Sequence, residues 1–155
     1  MRNSSSSGFT LTEMLVVGVI IGLLSAVAVP NWLAFVNQRR MSVAQEEILQ
    51  ALQSAQNEAK RVERTTAVQF DLNSDPPLIS VNNRWQTLGR GELKAGQLLL
   101  TVSSSTFSFN AKGEPVSGQI PFKATVTAPS SKAKRCVVVH TLRGTLQEAN
   151  GSACD

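Results

Sequence analysis

The chain has 155 residues, 42% of them hydrophobic and only 17% charged, which leaves room for one globular domain of modest core behind an apolar start. The net charge of +4 is spread along the sequence, so it permits an anionic partner without demanding one. No G-x-S-x-G, Walker-type loop, H-E-x-x-H or convincing carboxylate pair is present, and the lone His140 has no obvious orienting partner. An enzyme is therefore not expected, nor are catalytic residues, cofactors or a resident metal.

Met1 to Ser7 is polar with one cation, Arg2, and Phe9 to Val29 is apolar apart from Thr10, Thr12, Glu13 and Ser25. At about 1.5 Å per residue such a helix covers roughly 30 Å, the thickness of a bilayer core. Three readings compete: a secretory signal cut after Ala26-Val27-Ala28, a permanent single-span anchor, or a leader cut before the apolar run. Glu13 argues against the first, because an apolar signal core gains nothing from a carboxylate whose burial costs several kcal/mol.

Gly8-Phe9-Thr10-Leu11-Thr12-Glu13, the apolar run and then Pro30 resemble the N-terminus of the type IV prepilin and pseudopilin family. The resemblance implies cleavage between Gly8 and Phe9 by a prepilin peptidase, then N-methylation of Phe9. It also gives Glu13 an assembly role, pairing with the terminal amine of a neighbouring subunit. Either charge alone is expensive in an apolar medium, and the pair is much less so. Pro30 falls at the family's proline position and is expected to kink the helix, with Gly18 and Gly22 lowering helix propensity before it.

Past the span, Met41, Ala44, Ile48, Ala51, Leu52, Ala55, Ala59 and Val62 recur at three- and four-residue steps, one apolar stripe of an amphipathic helix. Glu46, Glu47, Arg61 and Arg64 are expected on its wet flanks. Strands are predicted over 68–72, 78–81, 84–88, 98–103, 106–110, 122–127, 135–142 and 145–147, separated by Gly, Pro and Asn turn signals. The expected fold is α+β: a long N-terminal helix, its first half transmembrane and later filament core, packed through its second half on a mainly antiparallel β-sheet, lollipop-like. The boundaries read 1–8 leader, 9–30 transmembrane and assembly helix, 31–64 amphipathic continuation, and 65–155 β domain.

"FSFNAKGEP" and "KRCVVVHTLRGTLQ" are similar to the C-terminal pattern of GspH/FimT-type minor pilins and pseudopilins, which favours a minor subunit. The family places this part outside the cytoplasmic membrane, where Cys136 and Cys154 are most simply one disulfide. Two thiols and one His140 do not make a four-ligand metal site. The implied location is the inner membrane, N-terminus in the cytoplasm, and then a pilus or pseudopilus. Arg39 and Arg40 outnumber Arg2 against that orientation, and the leader motif outweighs them because the charge rule is statistical. The implied partners are the assembly platform and major and minor pilins or pseudopilins. The alternatives are a pseudopilin of type II secretion and a FimT-like DNA-binding subunit. Lys132, Lys134, Arg135 and Arg143 would contact phosphates, yet Arg143-Gly144-Thr145-Leu146 departs from that group's G-R-x-R motif, and a solvated basic surface is the better reading.

Overall fold

The computed structural model describes residues 8–91, 93–129 and 131–154, with the side chains of 27–31 left aside. Residues 1–7 of the expected leader, Glu92 of the glycine turn and the Pro30 side chain lie outside the described residues. By its contacts the chain divides into Met1–Phe35 and Val36–Asp155.

A single helix, α1, runs from Leu11 to Val62 and contributes to both units. In the first unit its apolar side chains stand exposed, Leu11, Met14, Leu15, Val19, Ile21 and Leu24 among them. Among the described residues no helix is long and apolar enough to cross a membrane. The apolar run of the sequence continues into 27–31, beyond the described side chains.

In the second unit α1 buries its stripe. Met41, Ala44, Ile48, Leu52, Ala55 and Ala59 are fully covered, and small alanines let the helix approach the sheets closely. Val62, expected to end the stripe, is instead 37% exposed. It is the last helical residue, where the chain turns away from the core. Glu63 then takes a left-handed φ of 53°, and Arg64 N–H bonds to Ala59 O at 3.2 Å, a closing bond of the Schellman kind.

The β region is two four-stranded antiparallel sheets where one was expected. β1 (Thr66–Asp71), β2 (Leu78–Val81), β3 (Arg84–Thr87) and β5 (Thr106–Phe109) form the first, in the order β3-β2-β1-β5. β4 (Leu99–Val102), β6 (Phe122–Thr127), β7 (Lys134–Val139) and β8 (Leu146–Asn150) form the second, in the order β4-β6-β7-β8. The chain changes sheet after β3, β4 and β5, so no run of consecutive hairpins fills either one. Phe70 and Phe107 from the first sheet meet Phe122 from the second at ring separations of 5.7 and 4.5 Å, which ties the sheets into one core. β7 is buried on both faces: Val137 and Val139 join that core, while Cys136 and Val138 form a small second cluster with Cys154. A four-residue 3₁₀ helix, Gly151–Cys154, brings Cys154 to that outer face, where it is disulfide-bonded to Cys136.

Candidate processing and assembly site

The N-terminal residues take their geometry from local chemistry. Gly8, Phe9 and Thr10 are exposed and non-helical, and α1 begins at Leu11. Thr10 stands at the N-cap. Its Oγ1 accepts the Glu13 N–H at 3.2 Å, and Glu13 Oε2 accepts the Thr10 N–H at 3.4 Å. This is a reciprocal capping box, with the first helical bond running from Met14 N–H to Thr10 O at 3.2 Å. The Gly8–Phe9 bond therefore lies outside the helix, which begins two residues further on. Glu13 is held back along the chain at the helix end, where the macrodipole favours a negative charge. The T-x-x-E pattern at residues 10–13 is the local sequence signal of this cap.

Three polar side chains of α1 in the second unit do work that the amphipathic pattern did not foretell. Glu47, expected on a wet flank, is only 9% exposed: its Oε2 accepts the Gly89 N–H at 2.6 Å, and its Oε1 lies 3.6 Å from Arg90 Nε. It thereby pins the segment that crosses from the first sheet to the second. Gln45, also buried, donates from Nε2 to Cys136 O at 2.9 Å and Ala149 O at 3.2 Å, holding β7 and β8 to the helix. Gln56 Nε2 donates to Gly113 O at 2.8 Å and Gly144 O at 3.1 Å, which gathers the loops before β6 and β8 at one point. Gly144 has φ +71°, and a Cβ there would meet Gln56 Nε2 at 2.8 Å and Gly113 O at 3.1 Å, so conformation and space both require glycine.

The four basic residues are not brought together. Lys132 and Lys134 lie at the N-terminal end of β7, and Arg143 lies past its C-terminal end, separated by the strand's length of roughly 17 Å at 3.3 Å per residue. Arg135 turns toward Gln45 Oε1 at 3.4 Å and Asn150 Oδ1 at 3.5 Å, as part of the β7–β8 packing. His140 is exposed. An open groove of about 620 Å³ between α1 and the β2–β3 hairpin is lined by Gln50, Ser54, Glu58, Arg61, Arg84 and Gln86 among others. Its Glu58 accepts two bonds from Arg61, at 2.6 and 2.8 Å, and the guanidinium holds that carboxyl below its usual range. A carboxylate so engaged is a poor proton acceptor. Among the described residues no three His, Cys, Asp or Glu side chains are placed to hold a metal ion.

Residues 3–29 match the prokaryotic N-terminal methylation motif. The solved structure of the type IV minor pilin FimU of Pseudomonas aeruginosa (strain PAO1) superposes with a TM-score of 0.59, covering 78% of this chain and 99% of that one at 19% identity. The chain has a type IV pilin-like fold. The minor pseudopilin EpsH from the type 2 secretion system of Vibrio cholerae shares the fold at a TM-score of 0.51, over 71% of this chain and 96% of that one, at 14% identity. At such identities the two likenesses speak for the fold alone. In sequence, the pilin-like chain is 43% identical over 54 residues to the type IV major pilin protein PilA of Myxococcus xanthus (strain DK1622). That stretch is 35% of this chain and 24% of the relative, so the chain spans about a quarter of that relative's length.

Proposed function

We propose that this pilin-like chain is a minor pilin: it is cut between Gly8 and Phe9 by a prepilin peptidase, N-methylated on Phe9, and assembled with other pilins into a type IV pilus. The observation that carries the reading is the N-terminus itself, an exposed, non-helical Gly8–Phe9 bond directly before a capped helix whose apolar side chains stand exposed from Leu11 to Leu24. Residues 9–30 sit in the inner membrane before assembly, with the leader in the cytoplasm and the β domain outside. In the filament, neighbouring helices replace lipid around Leu11 to Leu24. Stacked copies of such a surface make a non-closing interface, which propagates as a helix. Glu13 then supplies the charge partner for the amine of an adjoining subunit.

Intact-mass analysis of membrane-extracted protein tests the processing step, with a mature N-terminus at Phe9 bearing one methyl group expected. A mass starting near Val29 would return the segment to an ordinary secretory signal. Glu13→Leu should leave cleavage and insertion intact and sharply lower the ratio of cleaved protein in sheared filaments to that in the membrane. The likeness to EpsH supports a second reading, a pseudopilin of type II secretion. Deleting the gene separates the two: loss of surface pili with secretion intact favours the pilus.

A further inference from the structure

We infer that Asn150, read together with Glu148, is an acceptor for N-linked glycosylation, its side-chain amide taking an oligosaccharide from a lipid-linked diphosphate donor. The inference rests on the location proposed above for the β domain, outside the inner membrane, and adds a covalent modification to it. Glu148-Ala149-Asn150-Gly151-Ser152 reads E-x-N-x-S, the N-x-[ST] acceptor signal in its bacterial form, with an acid two residues ahead of the asparagine. Elsewhere only Asn3-Ser4-Ser5 has the N-x-[ST] spacing, and it lies in the expected leader with Met1 where the acid would be. A tripeptide match alone is common. Its placement in the fold is what gives this one weight.

β8 is the edge strand of the second sheet, and Asn150 is its last residue. Glu148, Asn150 and Ser152 are all exposed. Two apart on a strand, Glu148 and Asn150 leave the same face, so a transferase meets the acid and the amide together. Gly151 then turns the chain with φ 62° into the 3₁₀ helix, whose Cys154 is fastened to Cys136. That turn requires its glycine and makes no use of the polar groups around it. Among the described residues the Glu148 carboxylate, Asn150 Nδ2 and Ser152 Oγ have no hydrogen-bond partner, and Asn150 Oδ1 accepts only a long bond from Arg135 Nη1 at 3.5 Å. The reacting nitrogen is therefore reachable without unfolding the domain. In the transfer, Nδ2 forms a bond to the anomeric carbon of the first sugar. The bond from that carbon to the diphosphate oxygen breaks, its electron pair leaves with the lipid diphosphate, and one Nδ2 proton passes to a base on the transferase. The bulky, hydrated product covers the outer edge of the second sheet, the side on which a further strand would add.

The experiment maps peptides of the full-length protein recovered from the membranes of the organism that makes it, as wild type and as Asn150→Gln, Ser152→Ala, Ser152→Thr and Glu148→Gln. The wild-type peptide spanning residues 148–152 should be heavier by an oligosaccharide. Collisional fragmentation should release that mass as sugar, which spontaneous deamidation of Asn150-Gly151 cannot imitate, and electron-transfer fragmentation should place it on residue 150. The adduct should be lost in Asn150→Gln and Ser152→Ala, kept in Ser152→Thr, and reduced several-fold in Glu148→Gln. Non-reducing mapping of the same samples should find Cys136 joined to Cys154 in every variant. An unmodified wild-type peptide in protein whose cysteines are paired would overturn the inference and leave the location of the domain standing. So would sugar placed on Ser152, an adduct that survives Asn150→Gln, or undiminished occupancy in Glu148→Gln. Two free thiols in the wild-type protein would defeat the proposed location first, and this inference with it.

Discussion

One helix carries two opposite solutions to hydrophobicity. Between Leu11 and Leu24 the large apolar side chains of α1 are exposed on every side, whereas between Met41 and Ala59 the apolar residues form one stripe and are buried. Helix formation is common to both stretches, so it is the distribution of apolar residues that separates them. A stripe can be satisfied by one sheet surface, but an all-round apolar helix needs an all-round apolar medium. At about 1.5–3 kcal/mol for each large aliphatic side chain taken out of water, the first stretch calls for an all-round apolar medium, and the second completes its own domain.

The sharpest way to break this comparison is to make the same change in both stretches. Ile48→Ala, in a site with no exposure, should destabilise the β domain by about 3–4 kcal/mol, since a buried isoleucine leaves a cavity as well as lost contacts. Ile20→Ala, half exposed, should leave the thermal midpoint of the full chain in detergent unchanged. Equal shifts would mean that the first stretch packs on the domain and that the two solutions are one.

The next largest effect belongs to the disulfide. It closes a loop of 18 residues between β7 and the C-terminal 3₁₀ helix, and chain-entropy arguments give it about 3 kcal/mol. Replacing both cysteines by alanine should lower stability by that order in denaturant unfolding. It should also speed amide exchange at Gly151 to Cys154 first, because only Cys154 buries that turn. Helix residues 11–26 should exchange as before.

Most strand positions were readable because the apolar alternation of residues such as Val68 and Phe70 survives in the burial pattern of β1. The observed ends of β2 and β6 coincide with those read from the sequence. Membership of a sheet was not readable. The period of 2 says which face of a strand is buried, and nothing in it says whether β4 pairs with β3 or with β6. The polar residues of the stripe failed for a different reason. Gln45, Glu47 and Gln56 look like solvent-facing helix residues until the backbone groups they satisfy, at Cys136, Gly89 and Gly113, arrive from 42 or more residues away. At the N-terminus the opposite held: the Thr10–Glu13 box is local and was present in the sequence as a pattern.

A smaller effect should come from the junction at Gln56. Gly144→Ala puts a Cβ against Gln56 and Gly113 at φ +71° and should cost about 1–2 kcal/mol. Gly22→Ala, in the first stretch, meets no atom within 4 Å and should be neutral or favourable to the helix. Urea midpoints of the two variants, with the slope unchanged, would show whether glycine is required by space in the domain and merely tolerated in the apolar stretch.

The smallest expected effect is a pH dependence confined to the domain. Asp71, at the end of β1, accepts the Ser74 hydroxyl at 2.7 Å and the Asn73 N–H at 2.9 Å, and these bonds, the hydroxyl foremost, hold its carboxyl below the usual range. Its folded pKa is depressed, so the stability it adds is present above the unfolded value of about 4. That contribution is lost as pH falls through the lower folded value. Ser74→Ala should bring the carboxyl back toward its ordinary range and flatten the stability profile between about pH 4 and the folded value, with less loss at neutral pH than Gly144→Ala produces. The check is a series of thermal midpoints from pH 6 downward (about four steps suffice) for wild type, Ser74→Ala and Asp71→Asn. A wild-type slope in that window that survives both substitutions would place the titrating group elsewhere.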